Sequence, residues 1–87
     1  MATNNPHRLE FIVSEHSVYT EGETFPVWDC IANIVHQLTS IRIFYGQDYG
    51  IAESYVSKKG QRIMVLEFKE AETAMIVKLH GVKKVNE

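Results

Sequence analysis

Cys30 is the only thiol of the chain, and the four histidines, His7, His16, His36 and His80, stand far apart. A thiol becomes a nucleophile when a neighbouring base or positive field lowers its pKa. If Cys30 lies on a helix, His36 sits roughly 240° around the axis from it and is no local base. Cys30 falls instead beside Val27 and Ile34, at the border of an apolar stripe, and reads as a small buried hydrophobe. No two histidines have the spacing of a helical or loop metal site, so no metal and no cofactor is expected. Glu10, Glu53 and Glu67 fall on expected strands, but acid–base work needs a carboxylate pair in an apolar cleft with separated pKa values, which no spacing here supplies. The sequence contains no Gly-x-Gly-x-x-Gly run, no phosphate-cradling glycine-lysine loop and no nucleophile elbow. The expectation is a protein that is not an enzyme.

Binding chemistry is better represented. Lys58, Lys59 and Arg62 lie beside Tyr45, Tyr49 and Tyr55 in sequence. Cations interleaved with aromatic rings can hold a phosphate backbone and stack unpaired bases, at roughly 1–3 kcal/mol per stacked base. Asp48 and Glu53 intrude on the same stretch and weaken its field, and a charged hairpin tip with tyrosines at the core border, or a protein-binding rim, is the preferred explanation.

The elements that must carry these residues follow from periodicity. Residues 1–7 are polar and aperiodic and read as a flexible arm before a single domain over 8–86. Residues 8–14 alternate, with Leu9, Phe11 and Val13 on one face, as a half-buried strand does. Residues 15–24 read as a loop. A helix is expected over 25–39, with Thr24 as a cap, Pro26 in its first turn and an apolar stripe of Val27, Ile31, Ile34, Val35 and Leu38, bordered by Trp28. Residues 41–45 read as a strand ending at Gly46, residues 51–57 as a weaker strand, and 62–68 as a strong one joined to it by a hairpin around Gly60. A second helix over 69–80 stops at Gly81, and residues 82–85 offer a short closing strand.

Strands with two one-faced helices make an α+β two-layer sandwich, an antiparallel sheet with both helices on one face. A ferredoxin-like sheet with an extra strand or hairpin near 51–57 is its simplest closed form. If Phe11 and Leu66 face the helices, Ile12, Ile63 and Val65 fall on the opposite face as an apolar strip, the kind of surface that a partner protein or a second copy covers. Trp28, Tyr45, Tyr49 and Tyr55 are the aromatic anchors such an interface would use, Tyr49 and Trp28 above all if the strip is covered from within.

Size and charge bound the rest. The chain has 87 residues, a hydrophobic fraction of 45% and a formal net charge of −2, so one small core is all it builds, and no global basic excess draws it to nucleic acid. One cysteine forms no intrachain disulfide, which makes the cytoplasm the expected setting. The apolar runs are too short to span a membrane, and the first residues are too polar for a signal peptide.

The run Val65-Leu66-Glu67-Phe68, the nearby Gly60, and the helix Ala71-Glu72-Thr73-Ala74-Met75 ending in Leu79-His80-Gly81 resemble the third-strand and second-helix region of an RNA-recognition-motif domain. The resemblance covers residues 60–81, implies a ferredoxin-like fold and sets Ile63 and Val65 at the positions where that family stacks bases on aromatics. The function expected from the chain is non-enzymatic protein recognition through a sheet face or edge, by a small adaptor or accessory subunit. The alternative is single-stranded RNA or DNA binding through Lys58, Lys59, Arg62, Tyr45 and Tyr55.

Overall fold

The computed structural model describes residues 5–18 and 24–85. Strand β1 (Arg8–Ile12) leads into a one-turn helix α1 (Val13–His16), followed by α2 (Thr24–Thr39), the hairpin strands β2 (Tyr49–Val56) and β3 (Arg62–Phe68), and α3 (Ala71–His80). The three strands form one antiparallel sheet in the order β1-β3-β2. The chain is thus α+β. Of the expected arm, residues 1–4 lie outside the described residues, as do 19–23 of the expected loop. Asn5 already turns the chain, accepting the Arg8 amide at 3.1 Å, and the Phe68 amide donates to the His7 carbonyl at 2.7 Å.

Helix α2 follows its sequence period. Cys30, Ile31, Ile34 and Leu38 are buried and Val27 and Val35 half-buried, all against Met64, Leu66 and Phe68 of β3, with Leu9 and Phe11 of β1 packed onto the same core. Ala74 and Val77 of α3 complete that core, and Gly81, at φ 81°, closes the helix by donating to the Val77 carbonyl. Among the described residues no helix is long and apolar enough to cross a membrane.

Three expectations change. Residues 13 and 14 do not prolong β1. The chain coils into α1, which buries Val13 and His16, sets the His16 ring edge-on to Phe11 at 5.4 Å, and is tied to α2 where Asn33 donates to the His16 carbonyl at 2.9 Å.

Residues 41–45 do not form a strand. The Ile43 amide reaches the Leu38 carbonyl at 3.0 Å and the Arg42 amide reaches Thr39 at 3.0 Å, while Arg42 takes φ 64°. This is a Schellman closure of α2, with Ile43 and Leu38 as its apolar contact, and a left-handed arginine where glycine is the usual choice. The β-branched residues that read as a strand are used to end a helix. The partner strand of β3 is therefore the segment from Tyr49 to Val56, the one that looked supernumerary.

Residues 82–85 form no strand either. The Gln37 side-chain amide clamps Lys83, donating to its carbonyl at 3.1 Å and accepting its amide at 2.8 Å; beyond it Lys84 pairs with Glu15 at 3.2 Å and the Val85 amide donates to the Glu15 carbonyl.

Candidate functional site

Strand β3 is paired on both edges, and both its faces are also buried over most of their length. Its inward residues meet the helices. On the outer face the pairing register sets Ile63 between Ile12 and Tyr55, Val65 between Glu10 and Glu53, and Glu67 between Arg8 and Gly50. Long polar side chains from the two edge strands then reach across the middle one. Arg8 Nη1 lies 3.2 Å from Glu53 Oε2 and Arg8 Nη2 3.1 Å from Glu67 Oε1, while the Tyr55 hydroxyl donates to Glu10 Oε2 at 3.2 Å. Partial desolvation, with the Glu10 and Glu53 carboxylates nearby, raises the pKa of that phenol.

Beneath this lattice Ile63 is 8% and Val65 3% exposed, and Ile12 is half-buried. The bare apolar strip expected from the sequence is therefore corrected to a strip roofed by the chain's own side chains. The ion pairs themselves are exposed, and such pairs contribute at most about 1 kcal/mol each. Their effect on the surface is larger, because three carboxylates against one guanidinium leave this face with net charge −2.

The tyrosines part company. Tyr49 is a core residue, 2% exposed, stacked on Phe68 at 5.1 Å and edge-on to Tyr45 at 5.6 Å. Its hydroxyl is buried without a hydrogen-bond partner, and burial, with Tyr45 and Asp48 nearby, pushes its pKa up to about 12. Tyr45 stays half-exposed. It belongs to a tight loop in which Gly46, at φ 85°, donates to the Tyr49 carbonyl at 2.7 Å and the Asp48 carboxylate accepts the Phe44 amide at 2.7 Å. Trp28 is exposed on α2, at the border of the buried stripe, and Phe25 three residues earlier is exposed too.

The basic and aromatic residues are not brought into one patch. Lys58 and Lys59 cap the hairpin tip, whereas Tyr45 lies at the opposite end of β2, about 23 Å away along the strand. Arg62 pairs with Val56 on the inner register and donates to Ser54 Oγ at 3.3 Å, so it leaves from the other face to Tyr55.

What the loop and β2 build together is a cleft of about 400 Å³ lined by Tyr45, Gly46, Tyr49–Ala52 and Glu67–Lys69. Gly50 contributes bare backbone to it, and an added Cβ there would meet nothing within 4 Å. A register shift between Ile51 and Glu53 leaves Ala52 unpaired beside it, a β-bulge on an edge strand. Gly50, Ala52 and Lys69 were not singled out by sequence reasoning. The available signal is that strict alternation over 51–57 would put apolar Ile51 on one face with charged Glu53, a conflict that a one-residue bulge removes.

Chemistry at the other reactive groups is muted. Cys30 is fully buried, and burial with Asp29 beside it pushes its thiol up to about 12, so it stays protonated. His7 and His80 contact backbone carbonyls, His36 is exposed, and among the described residues no three metal-binding side chains converge. No family model, curated protein or solved structure matches the chain.

Proposed function

We propose that this chain is a non-enzymatic protein-recognition module, a small adaptor or accessory subunit, that takes an extended segment of a partner protein along the free edge of β2. The observation that carries the reading is the exposed hydrogen-bonding side of that edge next to the Gly50 cleft. The Lys69 amide donates to the Asp48 carbonyl at 2.9 Å and the Ser57 amide to the Gln61 carbonyl at 2.7 Å, which fixes the residues of β2 whose backbone faces β3. Allowing for the bulge, the N–H and C=O groups of Ile51, Ser54 and Val56 face away from the sheet, and among the described residues no strand lies on that side. Tyr49 faces the same way, and its carbonyl is already taken by Gly46, so the loop has begun a pairing that a partner strand continues.

The topology supports a ferredoxin-like lineage for the fold: β1, α2 and β2 form a βαβ unit with β3 inserted antiparallel between its strands. The resemblance to RNA-recognition motifs accords with it, but the outer face that would meet RNA carries net charge −2 and no exposed stacking ring on β3, which favours protein over nucleic acid. A cytoplasmic setting accords with the single buried thiol of Cys30.

Ser54→Pro tests the proposal. It removes an outward N–H while leaving the backbone bonds to β3 in place, as an edge strand tolerates, and gives up only the exposed bond from Arg62 to Ser54 Oγ. Affinity capture with the parent chain and with Ser54→Pro, both verified as folded by circular dichroism, should recover a partner with the parent alone. Equal recovery by both would refute docking on this edge.

A further inference from the structure

We infer that the segment received on the β2 edge is a basic one, an extended peptide carrying a large aromatic residue over Gly50 and a lysine or arginine beside Glu53; this rests on the reading of β2 as the docking edge. The charge argument begins on the strand itself. Glu53 is the one ionised side chain between Tyr49 and Val56, and it stands on the outer face, half-exposed. Behind it, Glu10 and Glu67 add two more carboxylates, and Arg8, already shared between Glu53 and Glu67, is the one cation among the paired strand residues of that face. An incoming strand places its outward side chains beside those of β2, so an acidic residue there adds to the net negative charge of the face while a basic one offsets it.

The apolar part follows from the cleft. Gly50 is an edge glycine with an ordinary backbone conformation and open space where a side chain would stand. A ring on the neighbouring strand covers such a glycine and packs on the exposed face of Tyr45. Lys69, on the wall of the same cleft, lies within reach of that ring as a cation–π partner.

The test selects a phage-displayed random peptide library on the full chain and repeats the measurement of enriched peptides on Gly50→Val and Glu53→Lys. Valine at position 50 projects into the open space above the backbone without clash or left-handed strain and stands where the ring would pack, and Gly50→Ala serves in its place if thermal melts show that the valine variant is unfolded. Enriched peptides should pair an aromatic with a lysine or arginine, lose about tenfold or more in affinity on Gly50→Val, weaken with added salt, and slow hydrogen exchange at the Ile51 and Ser54 amides. Selection on Glu53→Lys should shift toward acidic peptides. Binders that depend on Gly50 and protect those amides, yet carry no basic residue, would overturn the inference and leave the docking edge intact. Binders indifferent to Gly50→Val that leave the two amides unprotected, no enriched peptide at all, or tighter binding of a single-stranded RNA oligomer would overturn both.

Discussion

Tyr49→Phe deletes one oxygen from the core. The ring keeps its stack on Phe68 and its edge contact with Tyr45, so the packing term is unchanged, and what is removed is a hydroxyl that folding strips of water without supplying a partner. An unsatisfied buried polar group costs about 1–3 kcal/mol. The variant should therefore be more stable at neutral pH, by about 1–2 kcal/mol, which in a domain of this size raises Tm by about 4–8 °C per kcal/mol. A second signature separates this cause from others. In the folded chain the phenol titrates near 12 and in the unfolded chain near its ordinary 10.0, so between these values the unfolded state has released a proton that the folded state still holds. Stability from this group is complete below the lower value and falls as pH rises, with a slope of at most about 1.4 kcal/mol per pH unit. Tyr49→Phe lacks that slope. Urea denaturation of both proteins at neutral pH and along the alkaline limb measures both effects. A variant less stable than the parent by about 1 kcal/mol, the value of an ordinary hydrogen bond, or one whose alkaline slope matches the parent's, would refute the reasoning.

Three further outcomes follow from the structure. Arg42→Gly should stabilise by about 0.5–1 kcal/mol in chemical denaturation, because relief of a left-handed arginine outweighs the extra freedom glycine gives the unfolded chain. Val65→Glu should destabilise by about 3 kcal/mol or more, a buried charge set between Glu10 and Glu53, and Val65→Lys should be measurably milder in the same urea titration because both neighbours are carboxylates. His16, buried against Phe11, has its pKa lowered chiefly by desolvation; the unfolded chain takes up the proton first, so the stability it contributes is present above 6.5 and is lost as pH falls toward the folded value, and His16→Gln should flatten that acid limb in melts scanned across the window.

The parts of the fold legible in the sequence are those whose period is carried by the residues themselves. The stripe of Val27, Ile31, Ile34 and Leu38 identifies α2, and the run 62–68 identifies β3 because Met64, Leu66 and Phe68 alternate with the β-branched Ile63 and Val65. What was misread depends on relations between segments. Nothing in Ile41-Arg42-Ile43 announces a helix closure when glycine is missing from the left-handed position. The roof over Ile63 and Val65 exists only in the register that lines up Arg8 with Glu67 and Glu53 with Val65, and the site at Gly50 exists only because a bulge turns Ile51 inward while Glu53 faces out. Pairing partners separated by 45 to 59 positions leave no trace in local periodicity.

The order of the sheet also sets the order in which it assembles. The hairpin of β2 and β3 closes through a turn whose pairing residues, Ser57 and Gln61, are four positions apart, whereas β1 must find β3 across 59 residues. Loop-closure entropy grows as about (3/2)RT ln n, and contacts of such separation slow folding. The hairpin is thus the natural nucleus and β1 the last strand to arrive. Detachment of β1 is then the expected first opening of the sheet, and native-state hydrogen exchange should find its amides less protected than those pairing β2 with β3. That opening takes Arg8 and Glu10 with it, strips the cover from Ile63 and Val65, and presents β3 as an unpaired apolar edge, so the transient species is the one most prone to self-association during synthesis and under mild denaturation.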